Sequence, residues 1–323
     1  MRPGRKARPT DLHSHRIILD TDMGTDVDDA LALAFALRHP DIDLAAITTV
    51  SGDTHLRGQI AARLLALAGR GDIEVAAGVR EPLLRQGRMF WAGHEGKGLL
   101  EEGENLPLSP RHGVDLLVDT LGAEETELVT VGPQSNLAAA LIKDPAIAGR
   151  ISHLTVMGGF FYACELEGHT VPPTVDYNLN ADPEAAVKAL SAPIPTTFVP
   201  GDVTMRAWLL EKDLRRLEAS KDPLCQALGR LVRIWSPVQR RLLEMIGVPE
   251  ETGPVAILHD PLAVATLVDR RFVKTETLKT TVAIVDGYVR TFIDPAAGRQ
   301  VEVVTDVDAR AFAEFWVDTV VGG

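Results

Sequence analysis

The segment Asp20-Thr21-Asp22-Met23-Gly24-Thr25-Asp26-Val27-Asp28-Asp29 puts five carboxylates within ten positions, directly after the apolar run Ile17-Ile18-Leu19. The run before it reads as a short buried strand. The run after it, residues 30–37, is the strongest helix former of the chain. A strand-to-helix turn of this kind belongs at the carboxyl edge of an α/β sheet, where ligands bind, and it sets Asp28 and Asp29 at a helix N-terminus whose dipole favours anions. One helix end cannot settle this many charges. A cap and a solvated loop account for a pair of aspartates; the rest call for a hard, oxygen-seeking cation such as Ca²⁺ or Mg²⁺. An EF-hand is excluded, because the twelfth position counted from Asp20 is Leu31 and not a glutamate.

The alternation continues downstream. Residues 44–50 read as a second strand ending in Ser51-Gly52-Asp53, followed by a helix over 55–68 and a strand over 73–77. This β-α-β-α-β order predicts a single α/β domain with a mostly parallel central sheet flanked by helices and right-handed crossovers. Residues 81–110, rich in Gly, Pro and charge, read as a long loop in which His94 is a plain surface residue. A strand over 128–131 runs into Gly132-Pro133-Gln134-Ser135-Asn136, an irregular turn with spare carbonyls, and then a helix over 137–142. A strand over 154–157 ends in Gly158-Gly159, and an irregular passage leads to Asp176-Tyr177-Asn178. Asp182-Pro183-Glu184 opens a helix with a cap, a proline and an acid in the expected order. Residues 196–199 form a strand, and 209–245 are mostly helical with interruptions at Pro223 and Pro237. His259-Asp260-Pro261 starts a helix over 262–268, Asp286-Gly287 joins strands 280–285 and 289–293 as a C-terminal antiparallel hairpin, and a strand over 301–304 precedes a closing helix over 309–320.

Composition narrows the partners. With 33 basic against 45 acidic residues the net charge is −12, and no basic stripe with interleaved aromatics occurs, which excludes nucleic acid and leaves small molecules. Cys164 and Cys225 fit no metal or redox spacing and read as free structural thiols in a reducing compartment. Residues 1–15 carry Arg2, Arg5, Lys6 and Arg8 without an apolar core, so they read as a disordered leader before a domain over 16–323, not as a secretory signal. No run approaches the roughly 20 apolar residues needed to span a bilayer, so the expectation is a cytoplasmic protein with no membrane partner.

Taken together, Asp20-Thr21-Asp22 with Asp28-Asp29, Gly132-Pro133-Gln134-Ser135-Asn136-Leu137, Met157-Gly158-Gly159, Asn178 before Ala181-Asp182-Pro183-Glu184-Ala185, and His259-Asp260-Pro261-Leu262-Ala263 resemble the inosine-uridine-type nucleoside hydrolases over residues 17–320. The resemblance implies a Ca²⁺-dependent enzyme that cleaves the N-glycosidic bond of a ribonucleoside to ribose and free base. It implies that Asp22, Asp29, the Ser135 carbonyl and Asp260 hold the ion. It makes Asp22 the general base for a metal-bound water, and Asp28, Asp53, Met157, Asp176, Asn178 and Asp260 substrate contacts. A homodimer or homotetramer is implied as well. His259, adjacent to Asp260, is the candidate proton donor to the departing base, since histidine titrates near neutrality.

The chain also departs from the family pattern. Thr25-Asp26-Val27 replace a single residue before the paired aspartates, Asp53 stands where an asparagine is usual, and Asp176 is one methylene shorter than the usual glutamate. These changes leave room for a modified nucleoside or another riboside. They also leave room for a catalytically weak calcium- or nucleoside-binding protein on the same fold, which an assay for free ribose separates from an enzyme. A haloacid-dehalogenase-like phosphatase would use Asp20-Thr21-Asp22 differently, but the spacing to Gly24-Thr25 is wrong for it and Asp28-Asp29 and His259-Asp260 go unexplained.

Overall fold

Ile17 and Leu19 face one helical layer and Ile18 faces the other, and all three are fully buried. A strand covered on both sides has no polar face to show, which is why this run reads as continuously apolar. The computed structural model describes residues 14–84, 90–166, 168–248 and 253–322. Residues 1–13 of the expected leader lie outside the described residues, and the first strand already takes in His15.

The elements follow in order: β1 (His15–Thr21), α1 (Asp28–Arg38), β2 (Ile42–Thr49), α2 (Thr54–Leu67), β3 (Glu74–Ala77), α3 (Gly113–Ala123), β4 (Thr126–Thr130), α4 (Ser135–Lys143) and β5 (Ile151–Met157). A small hairpin, β6 (Cys164–Leu166) with β7 (His169–Val171), comes next, then α5 (Tyr177–Ala181), α6 (Pro183–Leu190), β8 (Thr196–Val199) and α7 (Gly201–Thr204). The chain continues with β9 (Trp208–Leu209), α8 (Glu211–Ala219), α9 (Pro223–Met245), β10 (Ala256–Ile257) and α10 (His259–Ala265). It closes with β11 (Val273–Val285), β12 (Tyr288–Ile293), β13 (Arg299–Val307) and α11 (Ala309–Gly322).

Nine strands form the main sheet in the order β12-β11-β13-β8-β5-β4-β1-β2-β3. Every neighbouring pair from β13 to β3 is parallel, while β11 pairs antiparallel with both β12 and β13. The chain leaves β1 toward β2 and β3, then returns to place β4 on the other side of β1. The order therefore reverses beside β1, and the loops that follow β1 and β4 diverge there into a crevice at the carboxyl edge. The acidic turn follows β1, and the Gly132-Pro133 turn follows β4.

One apolar layer packs α1, α10 and α11 on the sheet; the other packs α3, α4 and α6. α1 is buried through Ala36, including its first two residues Asp28 and Asp29. The expected C-terminal hairpin is present, with Asp286 at φ 51° and Gly287 at φ 87°, the left-handed pair that a tight two-residue turn needs. One expectation is corrected, and one helix falls where no element was expected. α9 is not interrupted at Pro237: it runs unbroken over 23 residues with the proline inside it, and an indole-to-amide hydrogen bond from Trp235 to Gln239 (3.0 Å) spans the missing backbone donor. α3 occupies a stretch without a strong helical signal, because glycines stand at 113 and 122; burial of Leu116, Leu117 and Leu121 supplies what propensity does not.

Candidate active site

The acidic turn is held by its own side chains. The Thr21 hydroxyl donates to Asp29 Oδ1 and accepts from the Met23 amide at 3.1 Å. Asp26, the extra acid of the turn, accepts from the amides of Val27 (2.6 Å) and Asp28 (3.3 Å), and Asp28 Oδ1 accepts from the Asp29 amide at 3.0 Å. The free N–H groups at the start of α1 are thus matched by carboxylates. α10 packs against α1 and brings Asp260 to the same place. One carboxylate oxygen from each of Asp28, Asp29 and Asp260 lies within 4.8 Å of the others.

These groups open onto a cleft of about 610 Å³, lined also by Asp22, Asp26, Asp176, Asn178, Met157 and His259. Among the described residues the lining holds six aspartates and no lysine or arginine. Burial first, and mutual repulsion second, push the Asp28, Asp29 and Asp260 carboxyls well above the usual carboxylate range. Burial likewise raises Asp26 to about 8 and Asp176 to about 6. It raises Asp22 too, against the opposing pull of the Arg57 guanidinium. A buried set of like charges is the environment that a hard divalent ion satisfies.

The lining also includes the apolar and aromatic side chains of Phe160, Trp235, Leu242 and Ile257. His259 lines the cleft too, with Nδ1 2.6 Å from the Thr204 hydroxyl. Desolvation lowers its pKa to about 4, so at neutral pH the ring is uncharged.

The family model for inosine-uridine preferring nucleoside hydrolases matches residues 17–314. The chain belongs to that family. It is accordingly an enzyme of the N-glycosidase class, and the phosphatase alternative falls away. Among relatives, the chain is 33% identical over 324 residues to the pyrimidine-specific ribonucleoside hydrolase RihA of Escherichia coli O9:H4 (strain HS), covering 94% of this chain and 97% of the relative. It is 34% identical over 256 residues to an uncharacterised protein of Schizosaccharomyces pombe, covering 76% and 77% of the two chains. Among solved structures, the plant nucleoside hydrolase PpNRh1 superposes with a TM-score of 0.81 at 25% identity, covering 96% of this chain and 99% of that one. A purine-preferring ribonucleoside hydrolase from Gardnerella vaginalis gives 0.77 at 26%, covering 95% and 98%.

In this nucleoside hydrolase the expected residues do not all converge. Asp53 is exposed and caps α2, accepting from the Leu56 amide at 3.1 Å, and it does not line the cleft. The reason is local: directly before α2, a carboxylate meets unpaired helix amides before it can reach a ligand. The acids that cluster are Asp28, Asp29 and Asp260, whereas the expected ion site combined Asp22, Asp29, the Ser135 carbonyl and Asp260. Asp22 lines the cleft outside that trio, and Ser135, the first residue of α4, sends its hydroxyl to Asp182 at 2.6 Å. Met157, Asp176 and Asn178 do line the cleft. Asn178 donates its amide to the Val131 carbonyl at 2.9 Å, and Asp176 caps α5 by accepting from the Leu179 amide at 2.8 Å.

Other participants carried little or no sequence signal. His94, expected as a surface residue, contacts the Thr25 carbonyl at 2.9 Å and packs edge-on to Trp235. Asp20 is fully buried and accepts from Thr48 (2.6 Å) and Asn136 (2.7 Å), tying β1 to β2 and to the start of α4; burial raises it to about 7. Arg57 is a fully buried arginine on α2 that points at Asp22.

Proposed function

We propose that the enzyme hydrolyses the N-glycosidic bond of ribonucleosides with the help of a calcium ion. The observation that supports this best is the convergence of Asp22, Asp28, Asp29 and Asp260 with Asp176, Asn178 and Met157 on one cleft, in a chain of this family. The buried trio Asp28, Asp29 and Asp260 fits a hard cation, with Asp22 beside it, and Ca²⁺ bound there would orient a water and the ribose hydroxyls and lower the pKa of that water. Asp22 takes a proton from the attacking water as its oxygen bonds to the anomeric carbon. The bond to the base nitrogen breaks with its electron pair leaving on the base. A carboxyl raised by burial is a stronger base than a solvated one. Asp28, Asp176 and the Asn178 amide oxygen hold the sugar hydroxyls, and the surrounding carboxylates favour the positive charge that develops on the ring. The departing base lies against the apolar side chains of the lining, Phe160 and Trp235 among them. His259 donates a hydrogen bond to it through Nε2–H while Nδ1 accepts from Thr204.

The test is to incubate the enzyme with inosine, uridine and a nitrophenyl riboside, with added Ca²⁺ and after chelation, and to measure free ribose. Ribose release that stops on chelation and returns with Ca²⁺ is expected, and Asp22→Asn should nearly abolish it. An Asp22→Asn enzyme retaining about a tenth of the turnover, or no ribose from any riboside, would overturn the assignment.

A further inference from the structure

Arg57 belongs to none of the roles above, yet its side chain is wholly buried directly behind Asp22. Each guanidinium nitrogen has a distinct situation. Nε donates to the Ser51 carbonyl at 2.7 Å and Nη1 to the Met23 carbonyl at 3.0 Å. Among the described residues Nη2 is buried without a hydrogen-bond partner, and it lies 3.9 Å from Asp22 Oδ2. The ring of Trp91 covers the guanidinium, 5.2 Å from its carbon. Met23 follows Asp22 in the turn after β1, and Ser51, at φ 69°, lies in the turn after β2. One planar cation thus fastens two strand-end turns together and aims its remaining donor at the carboxylate between them. The other side of Asp22 is confined as well: a Cβ on Gly132 would fall 2.9 Å from Asp22 Oδ1, so that oxygen rests against the glycine while Oδ2 faces Arg57.

We propose that Arg57 is the positioning residue for Asp22: it locks the acidic turn at Met23 and sets the plane and rotation of the Asp22 carboxylate for proton transfer. This rests on the reading of Asp22 as the base. A lysine cannot substitute, since one ammonium cannot span two carbonyls and a carboxylate in a fixed fork. The role requires position and not substrate affinity, so its loss should appear in kcat and leave KM and calcium binding nearly untouched.

The experiment compares wild type, Arg57→Lys and Arg57→Ala for kcat and KM on a nitrophenyl riboside, calcium affinity by calorimetry, and folding by circular dichroism. Arg57→Lys should fold and lose about 10²-fold in kcat, the order expected for a misplacement of about 1 Å, with KM and calcium affinity within about threefold of wild type. Tens of millimolar guanidinium chloride should restore kcat of Arg57→Ala by about tenfold or more where equal sodium chloride does not. Wild-type kcat in Arg57→Lys overturns this inference alone. So does a kcat loss matched by an equal loss of calcium affinity, or failure of both variants to fold, since Arg57 would then serve the metal site or the fold. A wild type inactive on every riboside overturns it together with the reading of Asp22.

Discussion

His259 illustrates how a single side chain changes meaning once its surroundings are known. Beside Asp260 in the sequence it reads as a proton donor near neutrality; in the fold it is half-buried, and desolvation holds its pKa at about 4. The ring is therefore neutral at pH 7, and what it can offer a departing base is a hydrogen bond. A hydrogen bond of this sort is worth about 1–3 kcal/mol, so His259→Ala should slow inosine or uridine about tenfold to a hundredfold. A nitrophenyl riboside, whose phenolate leaves without assistance, should change little. Equal losses in kcat on both substrates would assign His259 to ribose binding or structure. Asp26 shows the converse. It is surplus to the family's acidic motif, and the structure gives it a local task, since its carboxylate accepts from two amides at the start of α1.

The elements matter through their ends. β1, β2 and β4 are ordinary buried strands, and the chemistry lies in the turns that follow them. Gly132, past the end of β4, is where two of these turns nearly touch. A Cβ there would lie 2.9 Å from both the Asp22 amide and Asp22 Oδ1, and 3.0 Å from Val50 Cγ1. Because one of those atoms is backbone, the turn itself must give way. Gly132→Ala should cost about 1–3 kcal/mol in stability through overpacking, measured by urea unfolding. It should also lower kcat about 10²-fold by displacing Asp22. Full kcat in a folded Gly132→Ala enzyme would show that the close approach has no bearing on the base. At the level of secondary structure, α1, α2 and the terminal hairpin were legible because strong periodicity or a two-residue turn signal announced them. α3, the β6–β7 hairpin and the continuity of α9 through Pro237 were not, because tertiary packing outweighs weak or contrary local preference there.

For the whole molecule, the acidic cleft links stability to both pH and calcium. Asp20, Asp26 and Asp176 have folded pKa values raised by burial from 3.8 to about 7, 8 and 6, and Asp22, Asp28, Asp29 and Asp260 are raised as well. A carboxyl raised in the folded state binds its proton more tightly there than in the unfolded chain. The stability it contributes is thus fully present below the unfolded pKa and lost as pH rises through the folded one. The metal-free protein should therefore lose stability as pH climbs from about 4 to about 8. His259, lowered from 6.5 to about 4, works in the opposite direction, as do His39 and His153, but these are three groups against the seven aspartates and Asp202, itself raised to about 6. Calcium at a hundred times its Kd should restore about 2.7 kcal/mol at neutral pH and flatten the dependence, read as the melting temperature across pH with calcium and with chelator. A melting temperature that rises from pH 4 to 8 in chelator, or one indifferent to calcium at pH 7, would contradict the metal site. Among the described residues no helix is long and apolar enough to cross a membrane.

By itself, the sequence determined the α/β class, the parallel sheet, the family and the strand ends and helix starts that carry acids, because apolar period, turn chemistry and local charge density are properties of contiguous residues. It could not decide which of those acids meet. Asp28, Asp29 and Asp260 converge because α1 packs on α10, while Asp53, an equally plausible carboxylate at a strand end, is turned away to cap α2. Nor could it mark Arg57, whose importance comes from three partners, Met23, Ser51 and Asp22, on two different turns. Burial decides the charge state of a side chain and packing decides its neighbours, and both exist only once distant segments share one core.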